Sequence, residues 1–492
     1  MRASASARRP PPPAWLRPLR VAHVPGERDA VLREFGERLA EAFRLAGHAW
    51  QERPDDATDL LVGDAPFGEP CSWRSSLLFT GRARFHLARQ PAVFALVHAA
   101  PNALAERLSR LERALAEPSA RRDAFDFPGL AATGAEVLYE QGRRGGPLMA
   151  LERLVQAETK YIRIALVVGD ERPESAYLFD LVGAHPSVEC RDEADFYAEL
   201  ATRIATIVGT DEAVHHELLP GSIPAATWQG LSGPADMLAA SRELGRRDVF
   251  TEPVRIARLV PVPAITDAVA SQYSEGCFGT WEPDLDALLV TVTGSARPID
   301  KGHLSEADLA VVSGIRPDGS GTLARSVEGR PYAPPSSEAV EMLEVDGPHP
   351  RRGLEASWGI TRPVPAARSK LHAHRGVRRF DRDLVEYVPL EPEYFHYLVA
   401  CASQAQAHAV TRAFAASQTL RDPDDPRPLA MTILPGHGMM MLEKWVPGRR
   451  PFEEIWRLVD SGALELDSRV PQGPFTYRPG AGRLMELHVA DD

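Results

Sequence analysis

Cysteine is scarce in this chain: four in 492 residues (Cys71, Cys190, Cys277 and Cys401), none paired as CxxC. That excludes a clustered thiolate site for zinc or iron–sulfur and points to a reducing compartment. Long apolar runs are missing as well. No stretch of about 18 apolar residues is present, so the sequence offers no membrane-spanning helix. Positive charge is not in excess, because 68 acidic side chains face 56 basic ones for a formal net charge of -12. Broad binding to nucleic acid or an anionic membrane needs a positive field, so neither is expected as a partner. No GxGxxG follows a strand-like run, which removes the main support for a dinucleotide site. His215–Gly221 (HHELLPG) is not a zinc-protease HExxH either, since Pro220 stands where the second histidine belongs.

What is present suits a globular cytoplasmic protein with 44% hydrophobic and 25% charged residues. At roughly 100–200 residues per domain, the length implies two to four domains. Residues 1–17 are Pro-rich without an apolar signal core and are expected to form a disordered arm. Residues 18–150 alternate strand-like runs (Leu19–Gly26, Asp59–Val62, Ala92–His98) with helical spacing at Glu27–Gly47 and Ala103–Ala116. Leu32, Phe35, Leu39, Phe43 and Leu45 are expected on one helical face. Residues 151–300 repeat the alternation from Tyr161–Gly169, with helices at Glu193–Val208, Ala235–Gly245 and Ile265–Tyr273 and a strand at Val254–Leu259. Beyond residue 301 the runs shorten and alternate, with helices near Ala402–Ser417 and Phe452–Asp460. The expected fold class is α/β: two consecutive Rossmann-like α/β domains, then a β-rich, barrel-like domain over 301–492.

Candidate chemistry gathers first between Ser271 and Lys301. Glu275 precedes a glycine, which lets backbone or ligand approach closely, and Asp300 follows at the far end of an apolar strand. Two carboxylates that meet in space can hold a divalent cation or perform acid–base work. Cys277 reads as a site thiol or as a small buried hydrophobe. Lys370, His372 and His374 share one face if their segment is a strand, and His-x-His presents two imidazoles to one metal; an exposed polar face is the alternative. His437 sits between two glycines in a turn joining apolar strands, and Trp445 offers a sugar platform or a packing group. Glu338, Glu341 and Glu344 fall at helical spacing, where they are expected mostly in solvent; one of them lining the site is the alternative.

The order of these parts resembles the L-fucose and L-arabinose isomerase superfamily: two α/β units, a Glu-Gly loop (Glu275), a carboxylate about 25 residues on (Asp300), and a late histidine (His437). Met342–Val345 (MLEV) is similar to a short string of the arabinose branch. Where that family has an acidic residue after Glu-Gly, this chain has Cys277. The resemblance implies a manganese ion held by Glu275, Asp300 and His437, with Glu275 and Asp300 moving a proton between C1 and C2 of a sugar. Lys370 is expected as a further catalytic group, with His372, His374, Trp445 and Cys277 binding substrate. A homo-oligomeric aldose–ketose isomerase follows. A metal-dependent hydrolase or lyase and a non-catalytic carbohydrate-binding or scaffold protein are the other readings.

Overall fold

A computed structural model describes residues 17–24, 29–55, 57–65, 92–106, 162–180, 183–184, 188–209, 214–247, 249–250, 276–293, 301–316, 321–344, 367–392, 394, 403–435, 437–446, 448–467, 470–471 and 475–489. Over these residues the chain is a mixed α/β protein with three sheets. Among the described residues no helix is long and apolar enough to cross a membrane. The expected arm at 1–17, except Arg17, and the expected elements at Val254–Leu259 and Ile265–Tyr273 lie outside the described residues.

The first sheet holds β1 (Arg20–Val24), β2 (Ala49–Gln51), β3 (Leu60–Ala65), β4 (Ala92–Ala99), β5 (Ile162–Val168), β6 (Ser175–Asp180), β7 (Gly183–Ala184) and β8 (Val188–Glu189). Its order is β2-β1-β3-β4-β5-β6-β7, with β8 on β6. The first five strands run parallel and the rest antiparallel. Helix α1 (Ala30–Leu45) starts where the Asp29 carboxylate accepts from the Val31 and Leu32 amides. Its Leu32, Phe35, Leu39 and Phe43 are buried, and Phe35 meets Phe196 and Tyr197 of α2 (Glu193–Gly209). Leu45, expected on the same face, is 81% exposed. It lies two residues beyond Phe43, about 200° round the helix, and so points away from the sheet.

The second sheet positions the site. It contains β9 (His215–Ile223), β10 (Cys277–Glu282), β11 (Ala287–Thr291), β12 (Leu309–Ile315), β13 (Gly321–Val327), β14 (Ala367–Ala373), β16 (Val385–Tyr387), β17 (Leu429–Leu434) and β18 (Gly438–Lys444). The order is β16-β17-β18-β14-β10-β11-β12-β13-β9. Helices α3 (Ala225–Gln229) and α4 (Gly233–Arg246) follow β9. Both faces are covered, which is why β10, β17 and β18 are buried throughout, their few polar side chains included. On one face Leu288, Val290, Met440 and Leu442 pack against α5 (Ala339–Glu344) and α6 (Gln404–Ala415). A short helix α7 (Gln418–Arg421) follows α6. On the other, Phe278, Leu289, Met439 and Met441 pack against α4, α8 (Glu453–Asp460) and the third sheet. That sheet pairs β15 (Gly376–Asp381), β19 (Leu464–Asp467), β20 (Phe475–Pro479) and β21 (Leu484–Val489) in the order β19-β15-β21-β20.

The topology departs from the expected organisation in two ways. Strands β4 and β5, from either side of residue 150, are parallel neighbours in one sheet, and β10 and β14, from either side of residue 300, are neighbours in another. The boundaries expected at 150 and 300 therefore do not separate sheets, because pairing is a long-range property that composition along the chain does not report. The barrel-like closure expected for the last domain is not seen among the described residues: β16 and β9 are the two ends of an open sheet.

Candidate metal centre

Alternation along β14 turns Lys370 and His372 to the α5 side of the sheet, the side on which their cross-strand neighbours Leu442 and Met440 pack. His374 lies just past the strand end. The turn between β17 and β18, closed by the His437 amide donating to the Leu434 carbonyl at 3.0 Å, brings in His437. Glu338 stands one residue before α5. One ligand atom from each of Glu338, His372, His374 and His437 lies within 4.8 Å of all the others. Glu338 Oε1 is 3.1 Å from His372 Nε2 and 3.5 Å from His437 Nε2, and His437 Nε2 is 3.1 Å from His374 Nε2. Glu338, His372 and His437 are buried, and His374 is half-buried.

His372 Nδ1 lies 3.0 Å from the Met439 carbonyl, an acceptor only, so that nitrogen donates and Nε2 turns its lone pair to the cluster. His372 Nε2 is buried with no aligned hydrogen bond, despite the closeness of Glu338. An imidazole fixed this way is arranged as a metal ligand is.

Electrostatics tie the four groups together. Burial by itself raises the Glu338 carboxyl, but the His372 ring, with His437 and His374 beyond it, outweighs that and holds the group well below the usual carboxylate range. For His372 burial works downwards, and the Glu338 and Glu341 carboxylates overcome it and raise the ring. A buried carboxylate needs a positive charge beside it, and a protonated imidazole or a bound cation would supply one. The cluster can hold a metal ion.

Two other sequence candidates stand beside it. The Cys277 thiol donates to Glu338 Oε2 at 3.2 Å, and burial followed by the Glu338 charge pushes that thiol well up. Lys370 is fully buried on the same strand face; burial drives its amine well down, and it donates to the Met342 carbonyl of α5. The strands close in on the site through two glycines. Gly276 has φ +69, and a Cβ there would lie 2.5 Å from the His372 carbonyl oxygen. A Cβ on Gly438 would lie 2.2 Å from the Ala373 carbonyl oxygen. Gly438 thus leaves room for the backbone of β14.

The structure thus brings together His372, His374, His437 and Cys277, with Lys370 one alternation further along β14. Glu275 and Asp300, expected as metal ligands and acid–base pair, lie outside the described residues. Trp445, expected to bind substrate, is buried at the opposite end of β18 from His437, about 20 Å or more along an extended strand, with Arg368 over its ring at 4.8 Å. It packs in the core instead of facing the cluster. Glu338 is the ligand that the helical reading placed mainly in solvent. Helix α5 begins only at Ala339, so Glu338 is off its face, and Ala339, Val340, Met342 and Leu343 around the acids were the available signal for burial. Compared with protein-family models, curated proteins and solved structures, the chain matches none.

Proposed function

We propose that the chain is a transition-metal enzyme whose ion is held by Glu338, His372, His374 and His437. The observation that carries this is the convergence of three imidazoles and one carboxylate within 4.8 Å in a largely buried place. Three nitrogens and one oxygen favour manganese, iron, cobalt or zinc over magnesium or calcium, which prefer oxygen. The set is richer in nitrogen than the two-carboxylate, one-histidine set expected for manganese, which moves the balance towards iron and zinc. When bound, such an ion polarises a carbonyl or hydroxyl oxygen.

Aldose–ketose isomerisation is the reaction class we put first, as a proposal resting on the order of motifs. Glu275 and Asp300 are its expected proton carriers, and a homo-oligomer is the assembly it brings with it. Purification without chelator followed by elemental analysis is expected to find about one transition ion per chain, lost in Glu338→Gln and His372→Ala. Incubation with aldoses in heavy water is then expected to place deuterium at C1 of the ketose product. A metal-free wild-type chain would sink the first reading; a metal-loaded chain that exchanges no C2 proton on any aldose would sink the isomerase alone.

Four protein donors are also the number that a closed structural zinc site uses, where a catalytic site keeps a position open. That count favours a second, non-catalytic reading. Relaxation of water protons by the Mn2+-loaded protein separates the two: fast exchange of a bound water marks an open site.

A further inference from the structure

We propose that Cys277 is a positioning residue of this centre: its S–H holds Oε2 of Glu338, so that the carboxylate offers the ion Oε1 alone. The inference rests on the metal-centre reading and adds to it the mode in which the carboxylate binds. The two oxygens of Glu338 have different surroundings. Oε1 faces the imidazoles, 3.1 Å from His372 Nε2 and 3.5 Å from His437 Nε2. Oε2 accepts from Cys277 Sγ at 3.2 Å.

The thiol is held in place by the sheet itself. Cys277 opens β10 directly opposite His372 on β14, so the two side chains leave the same face at the spacing of a cross-strand pair. It is fully buried, which leaves it nothing to bond except its neighbours. A ligating carboxylate whose second oxygen is engaged is held against turning to chelate through both oxygens. One coordination position is thereby left for another group. Outer hydrogen bonds of this kind orient ligands, and their loss typically weakens metal binding by about 10–100-fold.

The test is a Co2+ titration of the full chain, parent and variants, read by the visible d–d absorption, whose intensity reports coordination number. Cys277→Ser keeps a donor, Cys277→Val keeps the volume without one, and Cys277→Ala removes both. Parent and Cys277→Ser are expected to bind with similar affinity and the same spectrum. The Val and Ala variants are expected to bind about tenfold more weakly or worse, with a less intense band as the freed carboxylate adds a second oxygen. If Cys277→Ala does not fold, the comparison of Ser with Val decides. Unchanged affinity and spectrum in Val overturns the proposal, as does a loss in Ser equal to that in Val, which would make the role one of packing. A parent chain that takes up no Co2+, or one matched by Glu338→Gln, overturns the metal centre itself.

Discussion

Nε2 of His437 lies 3.1 Å from Nε2 of His374, across a turn and a strand end separated by 63 residues. Two such nitrogens face each other only if they share a proton or both address a cation. With Glu338 Oε1 at 3.5 Å from the same His437 nitrogen, a cation satisfies all three.

An ion bound to the folded chain alone raises stability by about 2.7 kcal/mol at a hundred times its dissociation constant. Thermal unfolding is therefore expected to shift upwards with added Zn2+ or Mn2+ and to fall back with chelator. His437→Ala should abolish the shift by removing a ligand, a greater loss than the roughly 10–100-fold of an outer contact. An equal shift in wild type and His437→Ala would place the ion elsewhere.

Acid should release the ion. Imidazoles bind metal only when neutral, and the His372 ring is raised by the Glu338 and Glu341 carboxylates, so affinity is expected to fall as pH drops, beginning above the ordinary histidine range, with protons taken up as metal leaves. Titration calorimetry in buffers of different ionisation enthalpy counts those protons; none taken up between pH 5 and 7 would refute histidine ligation.

Glu443 gives the fold a pH dependence of its own. It is buried where the Phe452 and Glu454 amides donate to it at 2.6 and 2.7 Å. Burial outweighs these bonds and the Ser369 hydroxyl, and the nearby Glu454 charge adds to it, so the carboxyl is pushed up to about 7. A carboxyl raised in the folded state stabilises while protonated. That contribution is complete below the unfolded value near 4.5 and is lost as pH rises through about 7. Urea midpoints of the metal-free chain should fall between pH 5 and 8 by an amount of order 2–3 kcal/mol, and Glu443→Gln should flatten the profile. A wild-type profile already flat across that range would contradict this assignment.

Gly276 and Gly448 make a controlled pair. Both have positive φ, +69 and +80, but only at Gly276 would a Cβ meet backbone, at 2.5 Å from the His372 oxygen. Alanine is expected to cost about 1 kcal/mol at Gly448, from φ alone, and about 3 kcal/mol or more at Gly276. Equal costs by urea denaturation would mean that β10 does not need the close approach.

Local pattern made much of this fold legible. Apolar spacing located α2, α4, α6 and α8 to within a few residues, because a helix buries a face that its own sequence defines. Period-two alternation likewise put Lys370, His372 and His374 on one side of a strand. The arrival of His437 beside them, and of β5 beside β4, depends on which strands pair, and pairing joins segments that carry no mark of each other. Glu338 escapes the local pattern for a related reason. Its i, i+3, i+6 spacing with Glu341 and Glu344 suggests a solvated stripe, whereas Glu338 and Glu341 are both buried, beside His372 and Gln406, partners that come from distant segments.

The donors come from three separate places: the approach to α5, the end of β14 and the β17–β18 turn. In the unfolded chain only His372 and His374 are neighbours, so a free ion meets at most a weak two-point chelate. The remaining contacts exist only after the loops between these segments have closed, and closing them has an entropic cost. An ion held there links chain segments that must part when the sheet comes undone. Its main effect should then be on how long the native state lasts: unfolding slowed many-fold by the ion, and refolding little changed if these contacts form after the rate-limiting step.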